Sequence, residues 1–211
     1  MRVLSVNVGL PREIEWQGEV VRTSIFKEPV TETVRVGPTN LDGDRQSDLS
    51  VHGGPDKAVY VYPSEHYPFW RERLPEMQLP WGMFGENLTT EGLVETSVRI
   101  GDRLRIGTAE LAVTQPRMPC FKLGLRFGRP DMVKRFLESG RSGFYVTVLR
   151  EGTITAGDAV EVITQEEHCV TVADVVALYT AKAPDRDQLM LASELPGLSR
   201  GWRAHFRKRL K

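Results

Sequence analysis

The chain has 211 residues, with 28 basic and 28 acidic side chains that balance each other. A chain of this length can bury one full core and still carry a small appendage. Because the balanced charge creates no overall field towards nucleic acid or a membrane surface, the sequence predicts neither partner. No stretch approaches the ~20 apolar residues of a membrane-spanning helix.

The two cysteines, Cys120 and Cys169, form neither a CxxC pattern nor a disulfide framework. Such sparse cysteine usage is typical of a reducing compartment. The amino terminus also lacks the apolar core and cleavage site of a secretory signal. We therefore expect a cytoplasmic protein, with Cys169 in a structural role.

Residues 1–163 have the pattern of β structure, because short apolar runs recur between Gly, Pro and Asp clusters. Two helices are predicted among the strands, at 64–74 and 130–139. Closing a sheet removes its exposed edges, so many strands with few helices predict a closed or nearly closed barrel. The predicted strands are 3–8, 19–27, 32–36, 57–62, 85–89, 97–106, 109–115, 143–150 and 153–163.

Beyond residue 163 the apolar spacing becomes helical. Thr171, with Asp174 three residues later, predicts a capping box at the start of the first of three helices. We place a boundary near residues 164–168. The chain is thus predicted to be mainly β with some α over 1–163, followed by a three-helix domain over 164–211. The predicted tail helices are 171–181, 185–195 and 199–210.

The segment QPRMPCFKL, residues 115–123, places Cys120 between two prolines and two cations. Because the prolines fix φ and remove backbone donors, we expect a stiff loop that does not easily start a helix. Arg117 and Lys122 favour the thiolate of Cys120, which is the form that attacks or binds a metal. The alternative, a small buried apolar cysteine, remains open at this point.

A glycine-rich motif ends in VHGGPDK, residues 51–57. The two glycines after His52 could offer backbone N–H groups to an anion, and Lys57 adds a positive charge. An ordinary turn with a structural histidine is the alternative. His66 lies among aromatic residues, and this setting favours core packing.

Two further motifs carry candidate polar contacts. In FGENL, residues 84–88, Glu86 and Asn87 precede a predicted strand, and Asn87 could bind a heterocycle or cap a turn. Arg141 follows a predicted helix end, where it could bind phosphate or remain a solvated cation.

The carboxyl terminus carries six cations and no acid over residues 199–211. A basic helix at the end of three helices could suggest DNA binding. A solvated helix face is the more common explanation, and the neutral total charge makes a nucleic-acid partner unlikely.

Taken in order, these motifs resemble the MOSC domain family, and within it the YiiM-type branch. The tail is similar to the small three-helix domain of that branch, so the resemblance spans nearly the whole chain. The matching stretches are GDRQSD at 43–48, VHGGPDKAVY at 51–60, FGENL at 84–88 and QPRMPCFKL at 115–123.

The resemblance implies a MOSC-type β-barrel that binds the molybdenum cofactor, molybdopterin, with Cys120 as the protein ligand to molybdenum. A soft thiolate on a rigid loop suits a thiophilic metal. By the same resemblance, the candidate partners of the cofactor's phosphate are Lys57, Arg117, Lys122 and Arg141, and the candidate pterin or active-site contacts are His52, Glu86 and Asn87.

YiiM-like proteins are associated with the reduction of N-hydroxylated compounds, notably hydroxylaminopurines. Since the sequence has no flavin or nicotinamide fingerprint, the electrons are expected to come from a separate reductase. The basic tail is a candidate docking surface for an acidic partner of this kind. Whether the protein forms a homodimer is left open.

Two other classes of function remain open at the level of sequence. A metal-free cysteine hydrolase or transferase would use Cys120 as nucleophile, His52 or His66 as base and Gly53-Gly54 as oxyanion hole. A cofactor carrier would hold molybdopterin without catalysing a reaction. Metal content distinguishes the metal-free hydrolase or transferase from a reductase. Turnover of an N-hydroxylated substrate distinguishes the cofactor carrier from a reductase.

Overall fold

The computed structural model describes residues 1–47 and 53–211, which contain twelve strands and six α-helices. His52 lies outside the described residues. The strands are β1 Arg2–Val8, β2 Arg12–Trp16, β3 Glu19–Thr23, β4 Glu28–Val30, β5 Val34–Val36, β6 Val59–Pro63, β7 Leu88–Glu91, β8 Arg103–Ile106, β9 Ala109–Pro116, β10 Phe144–Arg150, β11 Gly152–Ile154 and β12 Val160–Thr164. The helices are α1 His66–Arg73, α2 Phe121–Phe127, α3 Met132–Ser139, α4 Val172–Thr180, α5 Arg186–Glu194 and α6 Arg200–Arg209.

Eight strands form one mixed sheet in the order β12-β8-β9-β10-β6-β7-β1-β4. Strands β6 and β7 run parallel, and the other neighbours are antiparallel. The start of β1 also meets the segment before β12. There, Arg2 faces Ala159 in an antiparallel bridge, and Val3 N–H donates to the Asp158 carbonyl at 2.9 Å. The mixed sheet with a helical carboxyl-terminal region agrees with the prediction, whereas the closed barrel stays a prediction.

The main hydrophobic core joins the sheet to the tail helices. Leu104 and Val113 of the sheet belong to the same buried cluster as Val175, Leu198 and Phe206 of the tail. A second cluster is aromatic and packs α1 and α3 around Tyr62, Trp70, Phe84 and Phe136. The tail therefore lies on the sheet and shares its core, while the boundary near residue 164 stays a prediction.

The segment after β9 differs from the expectation of a stiff loop. Pro116 does end the strand, but α2 begins immediately after Cys120. The prediction that this segment would not start a helix was wrong because a proline restricts only itself and the residue before it. Cys120 comes directly after Pro119 and is therefore outside that restriction, and its extended backbone (φ −123°, ψ 173°) occupies the N-cap position.

A hairpin replaces the single long strand predicted over 19–27. Strand β3 stops at Thr23 and pairs with β2, which the sequence reading missed. Gln17 and Gly18 connect the two strands, both with positive φ, as two-residue hairpin turns require. Residues 24–27 are thereby released from the strand and become available to line a cavity.

The tail helices carry the predicted capping box. Thr171 Oγ1 accepts a hydrogen bond from Asp174 N–H, and the Asp174 carboxylate accepts from Thr171 N–H. Arg209 of α6 donates to the carbonyls of Leu178 and Ala181 at the end of α4. No helix in the described ranges has both the length and the apolar character needed to cross a membrane.

Candidate functional site

Cys120 lines a cavity between the segment that follows β3 and the start of α2. Its side chain is half-buried and does not form a disulfide. Thr23, Ser24 and Lys27 form one wall of the cavity, while Arg117 and Lys122 come from the cysteine segment itself. A thiol and several cations are therefore brought together in one depression.

Three cations surround this cavity, and each is held in a different way. Lys27 is 8% exposed, and its ammonium group donates to the Asp44 carboxylate. Burial lowers the pKa of Lys27, although Asp44 opposes that shift. Lys122 Nζ donates to Ser47 Oγ at 3.1 Å.

Arg117 is 6% exposed, and its guanidinium carbon lies 5.3 Å from the Tyr60 ring centroid and 5.0 Å from that of Phe136. Burial acts to lower the pKa of Arg117, but Tyr60, Tyr145 and Cys120 outweigh it and leave the pKa raised. The guanidinium therefore stays charged within its aromatic surroundings.

Two buried polar atoms at this cavity lack hydrogen-bond partners in the part of the chain that the structure describes, Arg117 Nη1 and Ser24 Oγ. Burying an unpaired polar group typically costs about 1–3 kcal/mol, so native structures rarely leave one without a reason. Because Lys27 and Lys122 line the same cavity, these atoms fit an anionic group bound from outside the chain.

Two tyrosines on neighbouring strands complete the walls. Tyr60 of β6 and Tyr145 of β10 are directly paired across the sheet. Burial raises the pKa of both phenols above its usual value, which further favours their protonated forms. Tyr60 Oη donates to the Ser142 carbonyl at 2.8 Å. The sheet thus supplies two fixed aromatic rings to the same cavity as the cations.

Of the residues predicted from sequence, Cys120, Arg117 and Lys122 meet at this cavity. Lys57 instead ends a 3-10 turn and lines a neighbouring cavity. Arg141 donates to the Ser139 carbonyl, and its guanidinium carbon lies 3.7 Å from the Phe69 ring centroid, so it is occupied outside the cavity.

Glu86 and Asn87 are buried and do not line the Cys120 cavity. Glu86 accepts hydrogen bonds from the hydroxyls of Tyr67 and Thr89 and from Gly82 N–H and Phe84 N–H. These contacts make it a structural carboxylate that organises the turn before β7. Its predicted role as a cofactor contact has no support in this placement.

Asn87 contributes indirectly, by linking two walls of the cavity. Its Oδ1 accepts from Tyr60 N–H at 3.0 Å, and its Nδ2 donates to Asp44 Oδ2 at 2.9 Å. Asp44 in turn holds Lys27. Asn87 thus links these walls, and its role as a pterin or active-site contact stays a prediction.

His66, the alternative base considered from sequence, packs in the core. It is 9% exposed and hydrogen-bonds to Glu95 through Nε2. Cys169 is exposed rather than packed in the core, contrary to its expected structural role. In the described ranges, no group of three or more His, Cys, Asp or Glu side chains is placed to hold a metal ion.

Sequence reasoning missed Ser24, Lys27 and Tyr145 as site residues. Lys27 fell inside a predicted strand, and Tyr145 belongs to a strand that is remote in sequence from Cys120. Tyr60 was included in a quoted motif but was given no role. Only the pairing of β6 with β10 indicates that these side chains share a cavity.

Comparison with known proteins shows the family of this chain. Residues 48–161 match the MOSC domain, and residues 170–211 match the YiiM-like, 3-alpha helix domain. This chain belongs to the MOSC domain family. It is 43% identical over 209 residues to YflK of Bacillus subtilis (strain 168), covering 98% of this chain and 93% of that protein. The crystal structure of YiiM from Geobacillus stearothermophilus matches with a TM-score of 0.84 and 35% identity, covering 100% of this chain and 99% of that chain.

Membership of the MOSC family connects the chain to molybdenum-cofactor-related function. A protein of Gibberella moniliformis (strain M3125 / FGSC 7600) named as a reductase is 34% identical over 197 residues. That match covers 92% of this chain but 35% of the reductase. This MOSC chain therefore resembles one part of a longer protein.

Proposed function

We propose that this protein binds the molybdenum cofactor at the Cys120 cavity and reduces N-hydroxylated compounds such as hydroxylaminopurines. The observation that carries the proposal is the half-buried Cys120 thiol in one cavity with Arg117 Nη1 and Ser24 Oγ, which lack partners in the described ranges. A soft sulfur beside anion-binding donors is the donor set that a thiophilic metal on a phosphorylated organic group requires.

The cavity residues fit this group in named roles. Cys120 would be the protein ligand to molybdenum, while Arg117 Nη1, Ser24 Oγ, Lys27 and Lys122 would hold its anionic oxygens. When bound, the cofactor would supply two electrons for a reduction in which the N–O bond breaks and the oxygen, with two protons taken up from solvent, leaves as water. Tyr145 lines the same cavity, and its phenol, whose pKa burial raises, would be a hydrogen-bond donor to a bound group.

Electrons would come from a separate reductase protein, and the substrate would be a small molecule. The match to 35% of a longer reductase supports this division of labour, because further parts of that protein lie outside the similarity. The predicted docking of an acidic partner on the basic tail has weaker support, because two of the tail arginines already have partners within the chain. Arg207 pairs with Glu194, and Arg209 caps α4.

The barrel and the domain boundary belong to the same proposal. The bridge between Arg2 and Ala159 supports closure of the sheet between β1 and β12. Matches that end at residue 161 and resume at residue 170 support a division into 1–163 and 164–211. The cytoplasmic location stays a prediction.

Turnover tests the proposed reaction directly. Protein produced in a host that makes the cofactor is supplied with a low-potential chemical reductant and 6-hydroxylaminopurine, and adenine formation is followed by chromatography. We expect adenine from the wild type and from Cys169→Ala, whose thiol lies outside the cavity, but none from Cys120→Ala. Metal-loaded wild-type protein that forms no adenine would contradict the reductase assignment.

A further inference from the structure

A second cavity, of about 420 Å³, lies where α4 and α6 meet the end of β9. That volume is within the range of about 300–1,000 Å³ typical of small-molecule sites. Met118 lines both this cavity and the Cys120 cavity, so the two are neighbours across one side chain. The tail helices are therefore placed to contribute to a binding site beside Cys120.

Aromatic rings from the tail form one wall of this second cavity. The Tyr179 ring centroid lies 5.3 Å from that of Trp202 and 5.2 Å from that of His205. Tyr179 is 37% exposed and His205 is also exposed, in contrast to the fully buried rings of the aromatic core. These rings present surface to the cavity, and a flat ring can stack on such surface.

Another wall of this cavity carries a buried polar side chain. Gln115, the penultimate residue of β9, is 5% exposed and lines the cavity. Its side-chain amide has no hydrogen bond to another residue within the described ranges. An amide offers both a donor and an acceptor, which is the combination that the edge of a nitrogen heterocycle satisfies.

Glycines keep the space between these walls open. A Cβ added to Gly54 or to Gly201 would meet no atom within 4 Å. Both glycines line the cavity, Gly201 from the first turn of α6. The backbone can thus approach a flat ligand closely on two sides.

We propose that this cavity binds a planar nitrogen heterocycle of purine size, stacked on the tail aromatics with its edge bonded to Gln115. The assignment of this ring to the substrate rests on the proposed function, because Met118 then separates the ring from Cys120 by one side chain. Binding of the ring itself requires no metal. The three-helix tail would in this way determine which substrates reach Cys120.

Adenine binding to the full chain tests the proposal, measured by isothermal titration calorimetry on protein with and without cofactor. Gly201→Leu fills the open space and should weaken binding about tenfold or more, as should Tyr179→Leu, which removes an exposed stacking ring. Ala204→Leu is the matched control. It adds the same side chain to an exposed position of α6 that does not line the cavity, and it should bind as the wild type does.

Molybdenum and pterin content are measured on the same samples, so that failure of this proposal is distinct from failure of the proposed function. Weakened adenine binding in Gly201→Leu with unchanged pterin content supports the proposal. Equal binding by Gly201→Leu and the wild type, or no binding by either, overturns it. Loss of pterin from Gly201→Leu also overturns it, because the cavity would then belong to the cofactor.

Discussion

Arg117 shows how one residue links burial to ligand chemistry. Its guanidinium is buried between aromatic rings, and one of its nitrogen atoms lacks a partner in the described part of the chain. A planar guanidinium can bind two oxygens of one anion, which an ammonium group cannot do in the same geometry. The residue is therefore better placed for anion recognition than for structural support.

Replacing Arg117 tests that assignment. We expect Arg117→Met to lower the retained pterin about tenfold or more, because a charge-assisted hydrogen bond contributes about 1.5–3 kcal/mol. Arg141→Met is the control, since Arg141 lies outside the cavity and is occupied by Ser139 and Phe69. Fluorescence of the oxidised pterin, per mole of purified protein, provides the measurement. Equal losses in the two variants would contradict the role given to Arg117.

Asn87 gives a second prediction at the residue scale. Asn87→Ala removes the hydrogen bonds to Tyr60 N–H and to Asp44 Oδ2, so that two buried residues each lose a polar partner. We expect the free energy of unfolding to fall by about 2 kcal/mol, as is typical of such losses. Urea denaturation measures it, with Asn40→Ala as a control that loses one partly buried bond. A smaller loss for Asn87→Ala than for Asn40→Ala would refute the positioning role.

At the scale of elements, local signals predicted the structure well and non-local contacts escaped prediction. The capping box of Thr171 and Asp174 and the glycine that ends α3 are set by neighbours within four residues. Helix α2 was missed because the prolines were expected to restrict more of the following residues than they do. Lys27 was hidden inside a predicted strand that the β2–β3 hairpin shortens.

The basic helix α6 gives a prediction at this scale. Arg209 donates to the carbonyls of Leu178, Tyr179 and Ala181, whereas Arg207 forms an exposed ion pair with Glu194. We expect Arg209→Ala to cost about 2 kcal/mol in the free energy of unfolding, because carbonyls at the end of α4 lose their donor. An exposed pair contributes about 0–1 kcal/mol, so Arg207→Ala should cost less.

Urea denaturation measures the free energy of unfolding of both arginine variants. It shows whether Arg209 anchors α6 to α4 or is only a solvated cation. Equal stability of Arg209→Ala and the wild type would show that the contacts to α4 contribute little. The basic run would then again be a candidate docking surface for an acidic partner.

At the scale of the whole molecule, the order of motifs along the chain predicted the family, which the matches over 48–161 and 170–211 confirm. It did not predict which motif residues share a cavity. Glu86 and Asn87 lie within a matching motif, yet they support the walls rather than line the cavity. The contacts of Asn87 depend on Asp44 and Tyr60, which lie more than 25 residues away in the chain.

The tail has a second consequence at this scale. It shares the main core with the sheet and also walls the cavity beside Met118. The same packing that buries Phe206 therefore positions Trp202 and His205 next to the Cys120 region. Stability of the tail and binding beside the site are expected to change together.

Molybdenum content tests the central claim most directly. Wild type, Cys120→Ala and Cys169→Ala are purified from a host that makes the cofactor, and metal per chain is measured by elemental mass spectrometry. The account predicts near-stoichiometric molybdenum in the wild type and in Cys169→Ala, with loss in Cys120→Ala. Wild-type protein without molybdenum or pterin, or full retention of the metal by Cys120→Ala, would contradict it.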